Sequence, residues 1–121
     1  MTRLLLIDDD EGNRLTLSAL LEDEGFEVDV VASFAEATQL LQGEPPAYAG
    51  VLLDHSLGDG YGTDLIPLIR RVAPEAKVVA MSGSTGGGGM RRSADAELPK
   101  GMHFPDFLAR LRTVLGTAGR S

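Results

Sequence analysis

Short apolar runs alternate along the chain with longer stretches of helical periodicity, a rhythm typical of an α/β protein built on a parallel sheet. Four such runs are present, at residues 4–7, 28–31, 51–53 and 78–81. Three of them are almost unbroken, as expected for strands covered by helices on both faces, whereas Asp29 interrupts the second. We therefore predict that the second strand lies at an edge of the sheet and that the other three are central.

The segments around these runs carry apolar residues at helical spacing. Four stripes are present: Leu17, Leu20 and Leu21; Ala37, Leu40 and Leu41; Leu65, Ile69 and Val72; and Phe104, Phe107, Leu108, Leu111 and Leu115. Ser33 and Glu36 have the spacing of a capping box just ahead of the second stripe. Pro105 suits the first turn of the last one. The sequence thus predicts helices after the first three strands and a final helix near the carboxyl terminus.

The segment from 84 to 100 has the weakest pattern. Four consecutive glycines, 86–89, carry a high conformational entropy cost in any fixed structure. A fifth strand would have just Ala96 and Leu98 as apolar residues, and Pro99 removes a backbone donor there. We expect a helix that is short or disordered, followed by an edge strand or an extended stub.

Length and composition limit the classes of function. The 121 residues suffice for one core and not for two, so residues 1–121 are expected to form a single domain. A net charge of -7, with scattered Lys and Arg, argues against direct nucleic-acid binding. The absence of cysteine excludes disulfides, thiolate metal sites and cysteine nucleophiles. No apolar run approaches the length of a membrane span or a secretory signal, so we expect a cytoplasmic protein without a membrane partner.

Polar side chains follow the predicted strands, at the sheet edge where open parallel sheets bind ligands. An acidic run, 8–10, follows the first strand, and Asp54 follows the third. Ser82 follows the fourth strand and Lys100 the weak fifth one. Because the carboxyl ends of parallel strands lie at one edge, these carboxylates, the hydroxyl and the amine are expected to converge.

Crowded carboxylates repel one another unless a cation lies between them or one takes up a proton. Mg²⁺ is satisfied by one or two carboxylates together with a carbonyl, water and phosphate oxygens. We therefore predict Mg²⁺ held directly by Asp9 and Asp54, with Asp8 binding through water. A carboxylate can attack a phosphoryl centre to give an acyl phosphate, and catalysis is then mainly alignment and charge neutralisation. Lys100 and the Ser82 hydroxyl would contact the phosphoryl oxygens.

The order and spacing of these motifs resemble the receiver domain of two-component response regulators over nearly the whole chain. The matching motifs are Leu-Leu-Leu-Ile-Asp-Asp-Asp at 4–10, Val-Leu-Leu-Asp at 51–54, Gly62, Met-Ser-Gly at 81–83 and Lys100. The resemblance implies a flavodoxin-like (βα)5 fold, in which a doubly wound, five-stranded parallel sheet has the strand order 2-1-3-4-5.

The resemblance also implies roles and partners. It assigns phosphorylation to Asp54, the Mg²⁺ to Asp54 together with Asp8, Asp9 and the Ser56 carbonyl, and phosphate contacts to Ser82 and Lys100. The donor would be a sensor histidine kinase or a histidine phosphotransfer protein. The phosphorylated state would switch a surface that binds a downstream protein, which the sequence does not identify. Such a domain is no enzyme beyond its own phosphorylation and dephosphorylation.

Three positions and one segment depart from the family's pattern. Gly101 replaces the proline that follows the lysine, and that proline normally has a cis bond that helps to aim the lysine. Glu97 replaces an aromatic switch residue, and Gly58 replaces a proline in the loop after the phosphoacceptor. The stretch 82–100 is shorter than the family norm. We expect a remodelled output face in this part of the molecule.

Alternative interpretations stay open at this point. The acidic run alone is equally typical of a helix cap, and Lys100 alone is typical of a surface lysine. A pseudo-receiver would bind its partner constitutively, without phosphorylation. A small phosphohydrolase would use Asp54 as a transient nucleophile and would need His55 or Asp59 as an acid or base. The joint pattern favours the receiver.

Overall fold

The computed structural model describes residues 2–82 and 94–116. Its main sheet has five strands: β1 (Arg3–Ile7), β2 (Glu27–Val31), β3 (Gly50–Asp54), β4 (Lys77–Ser82) and β5 (Ala96–Pro99). The strands pair in parallel in the order β2-β1-β3-β4-β5. The predicted α/β fold and strand order are confirmed, and β2 is an edge strand, as Asp29 indicated. The helix expected between β4 and β5 lies outside the described residues.

Helices lie on both sides of this sheet. They are α1 (Glu11–Asp23), α2 (Phe34–Gln42), α3 (Ile66–Val72) and α4 (Phe104–Leu115), and a 3-10 turn (Gly62–Leu65) leads into α3. A two-stranded antiparallel ribbon, Ser56–Leu57 with Gly60–Tyr61, was not predicted and follows β3 directly. None of the helices within 2–82 and 94–116 has the length and apolar character needed to cross a membrane.

The four apolar residues of β1 show why the sheet is covered on both faces. All four, at 4–7, are 0% exposed. Leu5 and Ile7 point to one core, which includes side chains of α2 and α3, and Leu4 and Leu6 point to the other, which includes side chains of α1 and α4. Alternation along a strand sends successive side chains to opposite faces. Burial on both faces explains why the run is unbroken and why the polar residues lie at the end of the strand and not within it.

The helix starts follow the predicted capping pattern with one difference. The Ser33 hydroxyl accepts a hydrogen bond from the Glu36 N–H at 3.1 Å. The Glu36 carboxylate accepts a hydrogen bond from the N–H of Ala32, at 2.8 Å, whereas a standard capping box would use the N–H of Ser33. Pro105 is the second residue of α4, where its missing N–H has no helical partner to lose.

The predicted stripe of α1 is only partly buried. Leu21 is 0% exposed, but Leu20 is 38% exposed. Leu17 and Leu20 line an open cavity of about 190 Å³, which also contacts Met102 and Phe104. The apolar spacing identified the helix correctly, whereas the amount of cover over Leu20 depends on the connection between β5 and α4, which the spacing does not report.

The edge strand β2 is held by a charged cluster. Arg3 donates two hydrogen bonds to the Asp29 carboxylate, both at 3.1 Å, and the buried Tyr48 hydroxyl donates a third at 2.7 Å. Partial burial would raise the pKa of Asp29, but the hydrogen bonds from Tyr48 and Arg3 outweigh burial and lower it. Burial, followed by the bond to Asp29, raises the pKa of Tyr48. The cluster therefore holds Asp29 ionised and Tyr48 neutral near pH 7.

Candidate functional site

Three aspartates meet at the carboxyl edge of the sheet. Ile7 pairs with Leu53, so the residues that follow β1 lie beside the end of β3. One carboxylate oxygen from each of Asp8, Asp9 and Asp54 lies within 4.8 Å of the other two. Asp8 is 1% exposed and Asp54 is 5% exposed, while Asp9 faces solvent. The structure thus brings together the three carboxylates that the sequence singled out.

Local hydrogen bonds separate the roles of the acidic run. Asp10 is the N-cap of α1, where its side chain accepts from the Asn13 N–H at 2.9 Å. Asp8 accepts from the Asp10 N–H at 2.9 Å. Arg14 donates to the Asp8 carbonyl oxygen at 3.0 Å. Capping thus accounts for Asp10, whereas the Asp8 carboxylate stays at the sheet edge. The sequence analysis did not predict this contact of Arg14 with the Asp8 backbone. The one indication in the sequence is an arginine near the start of α1, four residues after Asp10.

Lys100 lies against two of these carboxylates. Its Nζ atom is 3.0 Å from Asp54 Oδ2 and 3.4 Å from Asp8 Oδ2, and the lysine side chain is 24% exposed. Burial by itself lowers the pKa of Lys100, but hydrogen bonds and charge from Asp54 and then Asp8 outweigh it and raise the pKa. The ammonium ion therefore stays charged beside the phosphoacceptor candidate.

A glycine takes the place of the family's proline after the lysine. Gly101 has a φ of 79°, the left-handed region that glycine enters at no steric cost. No cis peptide bond occurs among the residues described. Ser82, the last residue of β4, pairs with Pro99, so the backbone of Ser82 lies next to the strand end that leads into Lys100. Lys100 thus contacts both carboxylates while the residue that follows it is in the left-handed conformation.

The connection after Asp54 is tied closely to the strand. The His55 N–H donates to the Met81 carbonyl oxygen at 3.1 Å, and the Gly62 N–H donates to the His55 carbonyl oxygen at 2.8 Å. A Cβ atom at Gly62 would overlap the Asp54 carbonyl oxygen and lie 3.0 Å from Leu53 Cγ. Gly62 is thus required by close backbone approach, which explains why glycine stands at this position.

Asp59, a candidate acid or base, has another structural task. Its carboxylate accepts hydrogen bonds from the N–H groups of Phe34 at 2.8 Å and Ala35 at 3.1 Å. The Phe34 bond and then the Ala35 bond lower the pKa of Asp59. Both carboxylate oxygens accept hydrogen bonds at the start of α2, so this geometry does not favour Asp59 as the acid or base of a phosphohydrolase.

The residues present fit a divalent cation with oxygen ligands. Three carboxylates converge within 4.8 Å, and one ammonium group, that of Lys100, lies against two of them. Among the residues that the structure describes, the three carboxylates outnumber this ammonium group, and an excess of negative charge favours binding of a divalent cation. Carboxylate and carbonyl oxygens are also the ligands that this hard ion prefers. The site can therefore hold a metal ion next to Asp54.

Comparison with known families agrees with this geometry. The sequence profile of the response regulator receiver domain matches residues 4–112. The chain belongs to the response regulator receiver domain family. It is therefore a receiver domain of the two-component type, a regulatory class of domain, and its acidic pocket is like that of phosphoacceptor domains.

Individual relatives support the assignment. Over 80 residues, the chain is 38% identical to the photosynthetic apparatus regulatory protein RegA of Cereibacter sphaeroides; this covers 66% of the chain and 42% of RegA. The chain thus spans less than half the length of that relative.

Two solved structures share the fold. The non-phosphorylated HemR receiver domain of Leptospira biflexa has a TM-score of 0.83 and 32% identity, with coverage of 95% of this chain and 94% of that one. A response regulator of Burkholderia pseudomallei, solved with a phosphorylated aspartic acid, calcium ion and citrate, has a TM-score of 0.81 and 27% identity. The match covers 98% of this chain and 71% of that one.

Proposed function

We propose that Asp54 accepts a phosphoryl group, in an Mg²⁺-dependent reaction, from a sensor histidine kinase or a histidine phosphotransfer protein. The observation that carries this proposal is the position of Lys100, whose Nζ atom lies 3.0 Å from Asp54 and 3.4 Å from Asp8. A cation in contact with a buried carboxylate can stabilise the negative charge of a phosphoryl group that is transferred to that carboxylate. We also propose that the domain acts in the cytoplasm.

The metal ligands in this proposal are Asp8, Asp9, Asp54 and the Ser56 carbonyl. Asp9 and Asp54 would bind the ion directly, and the buried Asp8 would bind through water. Mg²⁺ would supply charge neutralisation for the phosphoryl oxygens. The carboxylates would hold that ion beside the Asp54 oxygen, and they lie together because the ends of β1 and β3 are adjacent.

In the transfer step, a carboxylate oxygen of Asp54 attacks the phosphorus of phosphohistidine. The phosphorus–nitrogen bond breaks, and the imidazole nitrogen keeps the electron pair and takes a proton from solvent. The product is an acyl phosphate on Asp54. Lys100 exchanges its contact with the free carboxylate for one with a phosphoryl oxygen, since its ammonium ion is already in place.

Switching follows from the same contacts. The phosphoryl group can change the protein only if its contacts differ between two conformations. We assign these contacts to Lys100 and Ser82, which belong to neighbouring strand ends. The output is a changed surface for a downstream protein, without direct nucleic-acid or membrane binding. Residues 1–121 act as one regulatory domain that catalyses only its own phosphorylation and dephosphorylation.

Intact mass after incubation with acetyl phosphate tests this proposal. Wild type, Asp54→Asn and Asp64→Asn are compared with and without Mg²⁺; Asp64 is an exposed aspartate of the 3-10 turn and serves as the charge-matched control. We expect wild type and Asp64→Asn to gain one phosphoryl group only with Mg²⁺, and Asp54→Asn to gain none. Failure of wild type to gain mass would favour the pseudo-receiver.

A further inference from the structure

The turn after the phosphoacceptor contacts two different parts of the molecule. Ser56 pairs with Tyr61 and Leu57 pairs with Gly60, so Gly58 and Asp59 form the tip of the ribbon. Leu57 is 4% exposed and anchors the ribbon on the core. The tip itself is exposed to solvent. The position of the tip therefore depends on the contacts that Gly58 and Asp59 make with neighbouring segments.

On one side the tip is fixed to the start of α2. The Asp59 carboxylate accepts from the N–H groups of Phe34 and Ala35, at 2.8 and 3.1 Å. The Ser33 hydroxyl accepts the next N–H, that of Glu36. Ser33 is thus the local N-cap of α2. Asp59, from a different segment of the chain, accepts two further hydrogen bonds from the first turn of this helix. Such bonds hold the segment as well as the helix.

Close packing accompanies these hydrogen bonds. A Cβ atom built at Gly60 would lie 2.7 Å from Phe34 Cδ2 and 2.9 Å from Phe34 Cγ. The absence of a side chain at Gly60 thus lets the ribbon come close to α2. Two neighbouring residues, Asp59 and Gly60, support one docked position of the ribbon through different interactions.

On its other side the tip borders the acidic cluster. A Cβ atom at Gly58 would lie 3.7 Å from Asp9 Oδ2, so the backbone passes directly beside that carboxylate. Ser56, the proposed carbonyl ligand, is in the same ribbon. A shift of the ribbon would move both the neighbour of Asp9 and the proposed ligand.

We propose that Asp59 is a positioning residue for the metal site: by binding the N–H groups of Phe34 and Ala35, it holds the ribbon in the position that Mg²⁺ binding requires. This inference rests on the proposed function, because it deepens the account of the same site. Outer partners of metal ligands typically change metal affinity by about 10- to 100-fold. Asp59 acts one step further away, through the backbone, so we expect about 3- to 10-fold weaker Mg²⁺ binding when it is removed.

Four variants separate this role from charge and from helix capping. Asp59→Ala removes both bonds, and Asp59→Asn keeps one acceptor oxygen. Gly60→Ala displaces the ribbon from Phe34 without a change in charge. Asp64→Ala removes an equal charge from an exposed position nearby. Mg²⁺ affinity is measured by calorimetric titration of the full chain, at a temperature where circular dichroism shows each variant folded.

We expect about 3- to 10-fold weaker Mg²⁺ binding in Asp59→Ala and in Gly60→Ala, a smaller loss in Asp59→Asn, and wild-type affinity in Asp64→Ala. Unchanged affinity in Asp59→Ala, with reduced thermal stability alone, would make Asp59 a plain helix cap and overturn the inference. Equal losses in Asp59→Ala and Asp64→Ala, with none in Gly60→Ala, would reduce it to a charge effect. If wild type itself binds no Mg²⁺, the proposed function fails, and this inference with it.

Discussion

The ammonium group of Lys100 lies 3.0 Å from Asp54 Oδ2, although the residue after the lysine is a glycine with a φ of 79°. The same ammonium group is 3.4 Å from Asp8 Oδ2. In the absence of a phosphoryl group, Lys100 thus offsets the repulsion between two buried carboxylates. Its place in the site does not require a proline at position 101.

Replacement of Lys100 by methionine should lower the stability of the protein in a way that Mg²⁺ reverses. In the variant without metal, the buried Asp8 and Asp54 carboxylates would lose their contact with the Lys100 ammonium group, and we expect the free energy of unfolding to fall by about 1–3 kcal/mol. Mg²⁺ should recover most of this loss, because it binds the folded state and replaces the missing positive charge. Urea denaturation with and without Mg²⁺ measures both effects. Lys77→Met, at an exposed position, is the control; a similar loss there, or a loss that Mg²⁺ does not recover, would contradict this account.

Replacement of Gly62 by alanine should destabilise the protein. The new Cβ atom would meet the Asp54 carbonyl oxygen and Leu53 Cγ, so the end of β3 has to shift. Overpacking of this kind costs about 1–3 kcal/mol of unfolding free energy. Chemical denaturation is compared with that of Gly43→Ala, where the nearest atom would be 3.5 Å away. Equal stability of the two variants would show that Gly62 is not constrained by this contact.

Replacement of Tyr48 by phenylalanine should give a pH-dependent loss of stability. At pH 7 the loss of the 2.7 Å hydrogen bond to Asp29 should lower the free energy of unfolding by about 1 kcal/mol. The pKa of Asp29 in the folded protein lies below its ordinary value of 3.8. The stabilisation is therefore fully present above that ordinary value and is lost as the pH falls through the lower, folded-state pKa.

The difference between wild type and Tyr48→Phe should accordingly shrink below pH 4 or so, roughly the pKa of a free aspartate. Denaturation curves from pH 7 to the acid limit of folding measure it, with Tyr61→Phe, at an exposed position, as the control. A difference that stays constant down to the lowest pH would contradict the assignment to the Asp29 carboxylate.

The elements with strong apolar patterns could be predicted from the sequence, because burial determines them directly. The unbroken run of β1 and the interruption by Asp29 in β2 gave the central and edge strands correctly. The fifth strand had a thin pattern, yet Leu98 is 2% exposed and β5 completes the sheet. Asp95 explains part of this: its backbone N–H donates to the Val78 carbonyl oxygen at 2.8 Å, and its side chain accepts from the Val78 N–H at 2.7 Å. Such long-range polar contacts have no periodicity to read.

The candidate site, too, could be predicted from the sequence only in part. Asp8, Asp54 and Lys100 lie at the carboxyl ends of parallel strands, so these residues come together once the strand order is known. The ribbon after Asp54 and its attachment to α2 could not be predicted, because Asp59 bonds to backbone N–H groups 25 and 24 positions away. The donors are backbone N–H groups, which almost every residue type has, so the sequence does not indicate which of them Asp59 binds. The sequence therefore indicates Asp59 only as a candidate acid or base.

The central claim is that Asp54, and no neighbouring residue, carries the phosphoryl group. Wild-type protein treated with acetyl phosphate and Mg²⁺ is reduced with borohydride, which converts an acyl phosphate into an alcohol, and its peptides are sequenced by mass spectrometry. We predict a single reduced position, Asp54. Reduction at Asp8 or Asp9, or a phosphoryl group retained on His55, would contradict the account.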